Sequence, residues 1–162
     1  MVESIKLILV SFIASVGFGI IFHIKKELLP WAGLGGALTR CIYLILLVYI
    51  DERLIYSLLA AMAAALYAEI MAMEFRTPST VFLYPAIIPL IPGDLIYQAA
   101  VNFILQDLKT MQTYAADCAL TLLGMCLGFV IISTFTYYRR VYSFGKELAS
   151  HIMHDAHKKK NS

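Results

Sequence analysis

The chain has 162 residues, of which 60% are hydrophobic and only 15% are charged, and its mean hydropathy is +0.77. Soluble domains carry about 45–50% apolar and about 25% charged residues, so this composition indicates an integral membrane protein with about four to six spans. The net charge of +2 is too small, and the basic residues too scattered, for a protein that binds nucleic acid.

Apolar segments of membrane-spanning length recur along the whole chain. In order they are span 1 (5–24), span 2 (31–50), span 3 (54–73), span 4 (79–108) and span 5 (114–138). Span 1 has no basic stretch before it and no cleavage site, so we expect it to be retained. The predicted fold is all-α: an integral membrane helical bundle of about five spans with one proline-broken helix. A four-span chain would result if span 2 or span 4 failed to cross.

Small residues mark two helix faces. Gly33, Gly36 and Ala37 lie at the start of span 2, and residues 60–65 of span 3 are alanines with one methionine. Such residues let helix backbones approach closely in a membrane. We expect these faces to be left open in a five-span monomer, which favours a hetero-oligomer, or a homo-oligomer if no partner exists.

The stretch 77–98, which leads into span 4, contains four of the five prolines, Pro78, Pro85, Pro89 and Pro92. A proline inside a helix removes a hydrogen bond and clashes with the preceding turn, at a cost of about 3 kcal/mol. The last three share one helical face, and Thr77-Pro78 is typical of a helix start. Span 4 is also too long for one upright helix across an apolar core of about 30 Å. We therefore predict a broken membrane helix, with a kinked helix that binds nothing as the alternative.

The break itself is predicted at Pro92-Gly93-Asp94. Gly93 is expected to take a positive φ, and Asp94 to cap a second half-helix that begins at Leu95. The free N–H groups of residues 95–97 would then face the gap and attract a carboxylate. Broken helices of this kind mark binding sites in transporters.

Ionisable side chains at bilayer depth cost about 2.5–3.5 kcal/mol each, so each one needs a reason. Arg40 and Asp94 are predicted at similar depth, where they form either a structural pair or a site in which Arg40 binds an anionic group. Asp94 or Glu69 would then carry a coupling proton. The alternative for Glu69 is a helix–helix contact. Asp117 is expected at the outer interface. The predicted substrate and ion pathway comprises Arg40, Glu69, Pro85, Pro89, Pro92, Gly93, Asp94, Tyr97, Gln98 and Asn102.

The sequence contains no nucleophile–base pair, phosphate loop or metal-ligand spacing in a loop, so we expect neither an enzyme nor a cofactor. The three cysteines are predicted to be small buried apolar residues.

Residues 139–162 form a basic tail, which is expected either to lie on the membrane as an amphipathic helix or to be solvated. His151, His154 and His157 in this tail fan across a helix, so no metal site is predicted there.

Lysine and arginine fall unequally on the two sides of a five-span chain. One side holds Lys25, Lys26, Arg76, Arg139, Arg140, Lys146 and Lys158–Lys160, and the other holds Lys6, Arg53 and Lys109. The positive-inside rule therefore predicts a multi-pass protein of the cell membrane with its N-terminus outside and its C-terminus in the cytoplasm.

Two stretches resemble a known family. FRTPSTVFLYPAIIPLIPGDLIYQAA (75–100) looks like the signature of the C-terminal membrane half of the threonine/serine exporter family, and ASVGFGIIFHIKKELLPWAGLGGALTRCIY (14–43) is also similar. The proline pattern ending in PGD-x-x-Y is the specific part. The fused exporters have a first half that this chain lacks.

The resemblance implies the small subunit of a split exporter, like the two-component succinate exporters of enteric bacteria. Residues 1–138 would be the transmembrane exporter-subunit domain, and residues 139–162 its cytoplasmic tail. Its partners would be a larger membrane subunit, the lipid bilayer and a small carboxylate substrate: threonine, serine or a dicarboxylate such as succinate. The alternatives are a non-transporting assembly subunit and, second, a membrane-embedded enzyme.

Overall fold

A computed structural model describes the backbone of residues 2–160 and the side chains of residues 3–139, and this part of the chain contains helices and no strands. Short 3₁₀ turns at Lys26–Leu28 and Ile88–Leu90 precede the second helix and follow the fourth. The helices are α1 (Val2–Ile21), α2 (Leu29–Tyr49), α3 (Arg53–Glu74), α4 (Thr80–Ile87), α5 (Gly93–Ile104) and α6 (Leu108–Lys160).

Four of these helices, α1, α2, α3 and α6, are long and apolar enough to cross a membrane. The shorter α4 and α5 pass the same test only as a pair, which is bent by 46° at the break between them. This agrees with the predicted all-α bundle of about five spans with one broken helix. The helix predicted from Thr77-Pro78 begins later, at Thr80, because Thr77 makes no capping hydrogen bond.

The start of α6 differs from the prediction, since it lies at Leu108 instead of 114. Asp107 caps the helix: its carboxylate accepts hydrogen bonds from the hydroxyl of Thr110 at 2.6 Å and from the N–H of Thr110 at 3.2 Å. These two hydrogen bonds hold the pKa of the exposed Asp107 carboxyl below its ordinary value. The helix continues to Lys160 through the predicted tail. The side chains of 140–162, and with them the three tail histidines, lie outside the described residues.

Two contacts fix the relative direction of α3 and α6. Arg53 at the start of α3 contacts Asp117 on α6, and at the far end of α3 Glu69 lines a cavity together with Arg139 of α6. Helices α3 and α6 therefore run parallel. The bent pair α4–α5 must carry the chain from one end of the bundle to the other, so it counts as a crossing. This geometry supports the five-span prediction.

Two glycines let α6 approach α3 closely. A Cβ built on Gly128 would lie 2.5 Å from the carbonyl oxygen of Leu58, and one built on Gly124 would lie 2.5 Å from that of Leu54. No side chain fits between the two backbones there. The buried alanines of α3 are Ala60, Ala61, Ala64, Ala65, Ala68 and Ala72. The alanine-rich stretch of span 3 is thus used for tight packing, as predicted.

The glycine-rich face of α2 packs against α1. A Cβ on Gly33 would collide with the side chains of Phe12 and Val16, and one on Gly36 with Ser15. Both small-residue faces are therefore occupied within this one chain. The expectation that they are left open for a partner is wrong, because α1 covers the face of α2 and α6 returns beside α3.

Candidate functional site

The break between α4 and α5 follows from the missing N–H groups of its prolines. In a continuous helix residue 89 would donate a hydrogen bond to the carbonyl of Pro85, but Pro89 has no N–H. Gly93 has an N–H, yet it donates to the carbonyl of Ile91 at 2.8 Å instead of to that of Pro89. The carbonyl oxygens of Pro85 and Pro89 are therefore left without partners from their own helix.

Side chains of α1 and α2 satisfy both of these carbonyl groups. The hydroxyl of Ser15 donates a hydrogen bond to the carbonyl oxygen of Pro85 at 2.8 Å, and Ser15 is fully buried. Nη1 of Arg40 donates to the carbonyl oxygen of Pro89 at 3.2 Å. Polar residues of α1 and α2 thus stabilise the broken backbone, as a buried polar backbone requires.

The turn at the break has another geometry than the predicted one. Pro92 adopts φ −79° and ψ 57°, which is an inverse γ-turn, and α5 begins directly after it at Gly93. Among the described residues no glycine has a positive φ. The predictions of a positive φ at Gly93 and of an N-cap at Asp94 are therefore wrong, because Pro92 already redirects the chain and takes the capping position.

Asp94 instead lies in the first turn of α5. Its side chain makes no capping hydrogen bond, and the first helical bond runs from the N–H of Ile96 to the carbonyl of Pro92 at 3.1 Å. In the part of the chain that the structure describes, the N–H groups of Asp94 and Leu95 make no hydrogen bond. The unpaired N–H groups are thus those of residues 94 and 95, instead of 95–97.

A half-open groove of about 580 Å³ lies against the break. Its walls include Ser11 of α1, Arg40 and Tyr43 of α2, Arg53 of α3 and residues 88–95. We call it the break groove. It brings together five residues of the predicted pathway, namely Arg40, Pro89, Pro92, Gly93 and Asp94.

Arg40 is the half-buried cation of the break groove. Besides its hydrogen bond to Pro89, its guanidinium carbon lies 5.3 Å from the ring centroid of Tyr43, a cation–π contact. Its Nε is buried and has no hydrogen-bond partner among the described residues. A buried donor without a partner is costly, so this guanidinium has capacity for a further acceptor.

Asp94 is exposed and lines the same groove. Within residues 3–139 it forms no ion pair with Arg40. The predicted structural pair is therefore not formed, because Arg40 is held by the carbonyl of Pro89. The two opposite charges share one groove without neutralising each other directly.

The other predicted pathway residues lie elsewhere. Glu69 lines a separate cavity of about 430 Å³ between α3 and α6. Pro85 is buried in α4 and does not line the groove, and Tyr97 is 65% exposed on α5. The amide of Asn102 donates to the backbone carbonyl of Gln98 at 2.7 Å, so these two share a face of α5, as predicted.

Sequence reasoning missed one charged pair. Nη2 of Arg53 lies 3.2 Å from Oδ2 of Asp117. The sequence predicts both residues near the outer interface, and this shared position is the signal that points to the pair. The hydroxyl groups of Ser11 and Ser15 gave no such signal, since serines are common in membrane helices.

A family model described as "Threonine/Serine exporter, ThrE" matches residues 7–135, which includes every wall of the break groove. The chain belongs to the threonine/serine exporter family. This membership agrees with the resemblance seen in the sequence and makes the protein a multi-pass membrane transporter of the exporter type. No curated protein and no solved structure matches the chain.

Proposed function

We propose that this member of the threonine/serine exporter family exports small amino acids, threonine or serine, and that the break groove binds them. The protein acts together with a separately encoded, larger membrane subunit in the cell membrane, the inner membrane where the cell has two. Its N-terminus lies outside and its C-terminus in the cytoplasm.

The observation that carries this proposal is the pair of opposite charges on the groove. Arg40 and Asp94 line it without an ion pair between them, whereas the charge of Arg53 is already balanced by Asp117. An amino acid is a zwitterion, so its carboxylate suits the guanidinium and its ammonium suits the carboxylate. The unpaired N–H groups at the start of α5 add a partial positive charge for the substrate carboxylate.

Export against a gradient needs a coupling ion, and Asp94 is the better placed of the two carboxylates predicted for this role. Glu69 lies in the separate cavity, whereas Asp94 lies on the groove. A carboxylate that holds either a substrate ammonium or a proton, but not both, exchanges one for the other. We therefore assign the coupling proton to Asp94.

A second candidate substrate is a dicarboxylate such as succinate. The observation that favours it is the presence of two guanidinium groups, those of Arg40 and Arg53, on one groove. Binding of a second carboxylate requires Arg53 to leave Asp117. The intact pair therefore makes the amino acid the first choice.

The exposed surface around α5 supports the partner subunit. This helix has no buried residue, and Asp94 at its start is open. Ionisable groups in membrane helices face protein or a wet cavity, so a further protein is expected to cover this side of the groove. A subunit that assembles with the exporter but does not transport would have the same exposed surface on α5. The export experiment separates this role from that of a transporting subunit.

The test is export of labelled threonine, serine and succinate from cells that express this chain with and without a candidate larger subunit encoded in a neighbouring reading frame. We expect export of threonine or serine when both proteins are present and little when either is missing. Arg40→Gln should abolish that export, whereas the control Arg76→Gln, outside the groove, should not. Equal export with and without this chain would overturn the proposal.

A further inference from the structure

The Arg53–Asp117 ion pair joins a wall of the break groove to a helix outside it. Arg53 begins α3 and lines the groove, whereas Asp117 lies on α6 and does not. Their side chains are 33% and 29% exposed, so the pair is not sealed inside the bundle. The pair therefore places the carboxylate of Asp117 beside the guanidinium of Arg53. Without Asp117, this guanidinium would line the groove with no carboxylate paired to it.

The pair determines the net charge of the groove. With it intact, the charged side chains on the groove are Arg40, Asp94 and an Arg53 whose charge is balanced from outside. Without the charge of Asp117 the same groove carries one net positive charge. A cleft with apolar walls focuses such a charge on whatever enters it.

The pair contributes little to holding the bundle together. Ion pairs exposed to this degree typically add little to the stability of a protein. Helices α3 and α6 are joined by the close backbone contact at Gly124 and Gly128, which does not involve the pair. The effect of Asp117 should therefore appear in the electrostatics of the groove more than in the stability of the fold.

We propose that Asp117 is a specificity-determining residue that acts through Arg53. By neutralising this guanidinium it keeps the groove suited to a zwitterionic amino acid. When the pair opens, two guanidinium groups without a carboxylate partner line the groove, which then favours a substrate with two carboxylates. This inference rests on the proposed transport function and assigns the choice between its two candidate substrates to one ion pair.

The first test compares export of threonine and succinate, with the partner subunit present, by the wild type, Asp117→Asn and the double variant Arg53→Gln/Asp117→Asn. The single variant should raise the succinate-to-threonine export ratio about tenfold, the effect of about 1.4 kcal/mol. The double variant should return the ratio to near the wild-type value, because it removes both charges. A proportional loss of both substrates in Asp117→Asn, or no rescue in the double variant, would overturn the proposal.

The second test needs no transport and so separates a failure of this inference from a failure of the proposed function. Leu47→Cys places a thiol on the groove wall of a protein whose Cys41, Cys118 and Cys126 are replaced by alanine. The measurement is the ratio of labelling rates with an anionic and a cationic thiosulfonate reagent.

Asp117→Asn should raise this ratio about fourfold, as one unit charge about 10 Å away in water would do. A matched thiol at Met73, which is 61% exposed at the far end of α3, should show no change. An unchanged ratio at Leu47→Cys, or an equal change at Met73→Cys, would show that Asp117 does not set the charge of the groove.

Discussion

At the scale of single residues, two side chains replace the hydrogen bonds that the prolines remove. Ser15 and Arg40 donate to the carbonyls of Pro85 and Pro89, and both come from helices other than the broken one. The break is therefore a built part of the bundle: the two carbonyl groups that its prolines free are satisfied by side chains at fixed points of α1 and α2.

Removal of the Ser15 hydroxyl tests this view of the break. Ser15→Ala leaves the carbonyl oxygen of Pro85 buried without a donor, and such groups cost about 1–3 kcal/mol. The smaller side chain causes no clash with Gly36, so lost hydrogen bonding is the main effect. Thermal unfolding in detergent should show a clear loss of stability, while the exposed Ser133→Ala serves as the unaffected control. Equal stability of the two variants would contradict this account.

Asp94→Asn tests the role of the groove carboxylate. Since Asp94 makes no capping bond, the substitution should not disturb α5, and the protein should insert normally. Export should fall at least about tenfold, because an amide can neither hold a proton nor pair with an ammonium. Asp51→Asn, in the exposed α2–α3 connection, is the control. Export at the wild-type rate over a range of pH would show that Asp94 carries no proton.

The sequence was most informative about these residues where local chemistry decides the outcome. The missing N–H groups of Pro89 and Pro92 predict a break wherever the chain is helical. The turn type was predicted wrongly, because Gly93 and Asp94 fit a positive-φ turn as well as they fit the first turn of a helix. The local sequence did not distinguish these two conformations.

At the scale of helices, contacts depend on register, which the sequence does not give directly. Arg53 pairs with Asp117, and Gly128 packs against the backbone of Leu58. Both contacts require α3 and α6 to lie side by side and parallel. Apolar periodicity predicts that such helices exist, and the sequence shows directly which of their residues are small. It does not say which helix neighbours which, so the partner of the alanine face of α3 could not be predicted.

The close contact between α3 and α6 predicts a strong effect of a single methyl group. In Gly128→Ala the new Cβ would lie 2.5 Å from the carbonyl oxygen of Leu58, so the helices must separate. Overpacking of this kind costs about 1–3 kcal/mol. In the control Gly17→Ala no atom lies within 4 Å of the new Cβ. Detergent-solubilised Gly128→Ala should unfold at a lower temperature than Gly17→Ala, and the reverse order would refute the predicted packing.

At the scale of the whole molecule, the parallel arrangement of α3 and α6 makes the number of crossings odd. The N-terminus of α1 and the far end of α6 then lie at opposite ends of the bundle. Basic residues are concentrated near the end where Arg76 and Arg139 lie, so that end is predicted to be cytoplasmic.

Reporter fusions at the two termini test this topology. A reporter that is active only in the cytoplasm should work when it is fused after Ser162, and a reporter that is active only outside should work when it is fused before Met1. The reason is the odd number of crossings combined with the excess of Lys and Arg on one side. Both termini on the same side of the membrane would show that the bent pair α4–α5 does not cross.

The central claim is that the exported substrate occupies the break groove, and substrate protection of a groove thiol tests it most directly. Membranes that contain the Leu47→Cys protein and the proposed partner subunit are labelled with and without excess threonine. We expect threonine to slow labelling at Leu47→Cys at least about threefold and to leave unchanged the labelling at Val48→Cys, a neighbouring exposed position off the groove wall. Labelling of Leu47→Cys at the same rate with threonine, serine, succinate or no addition would contradict the claim.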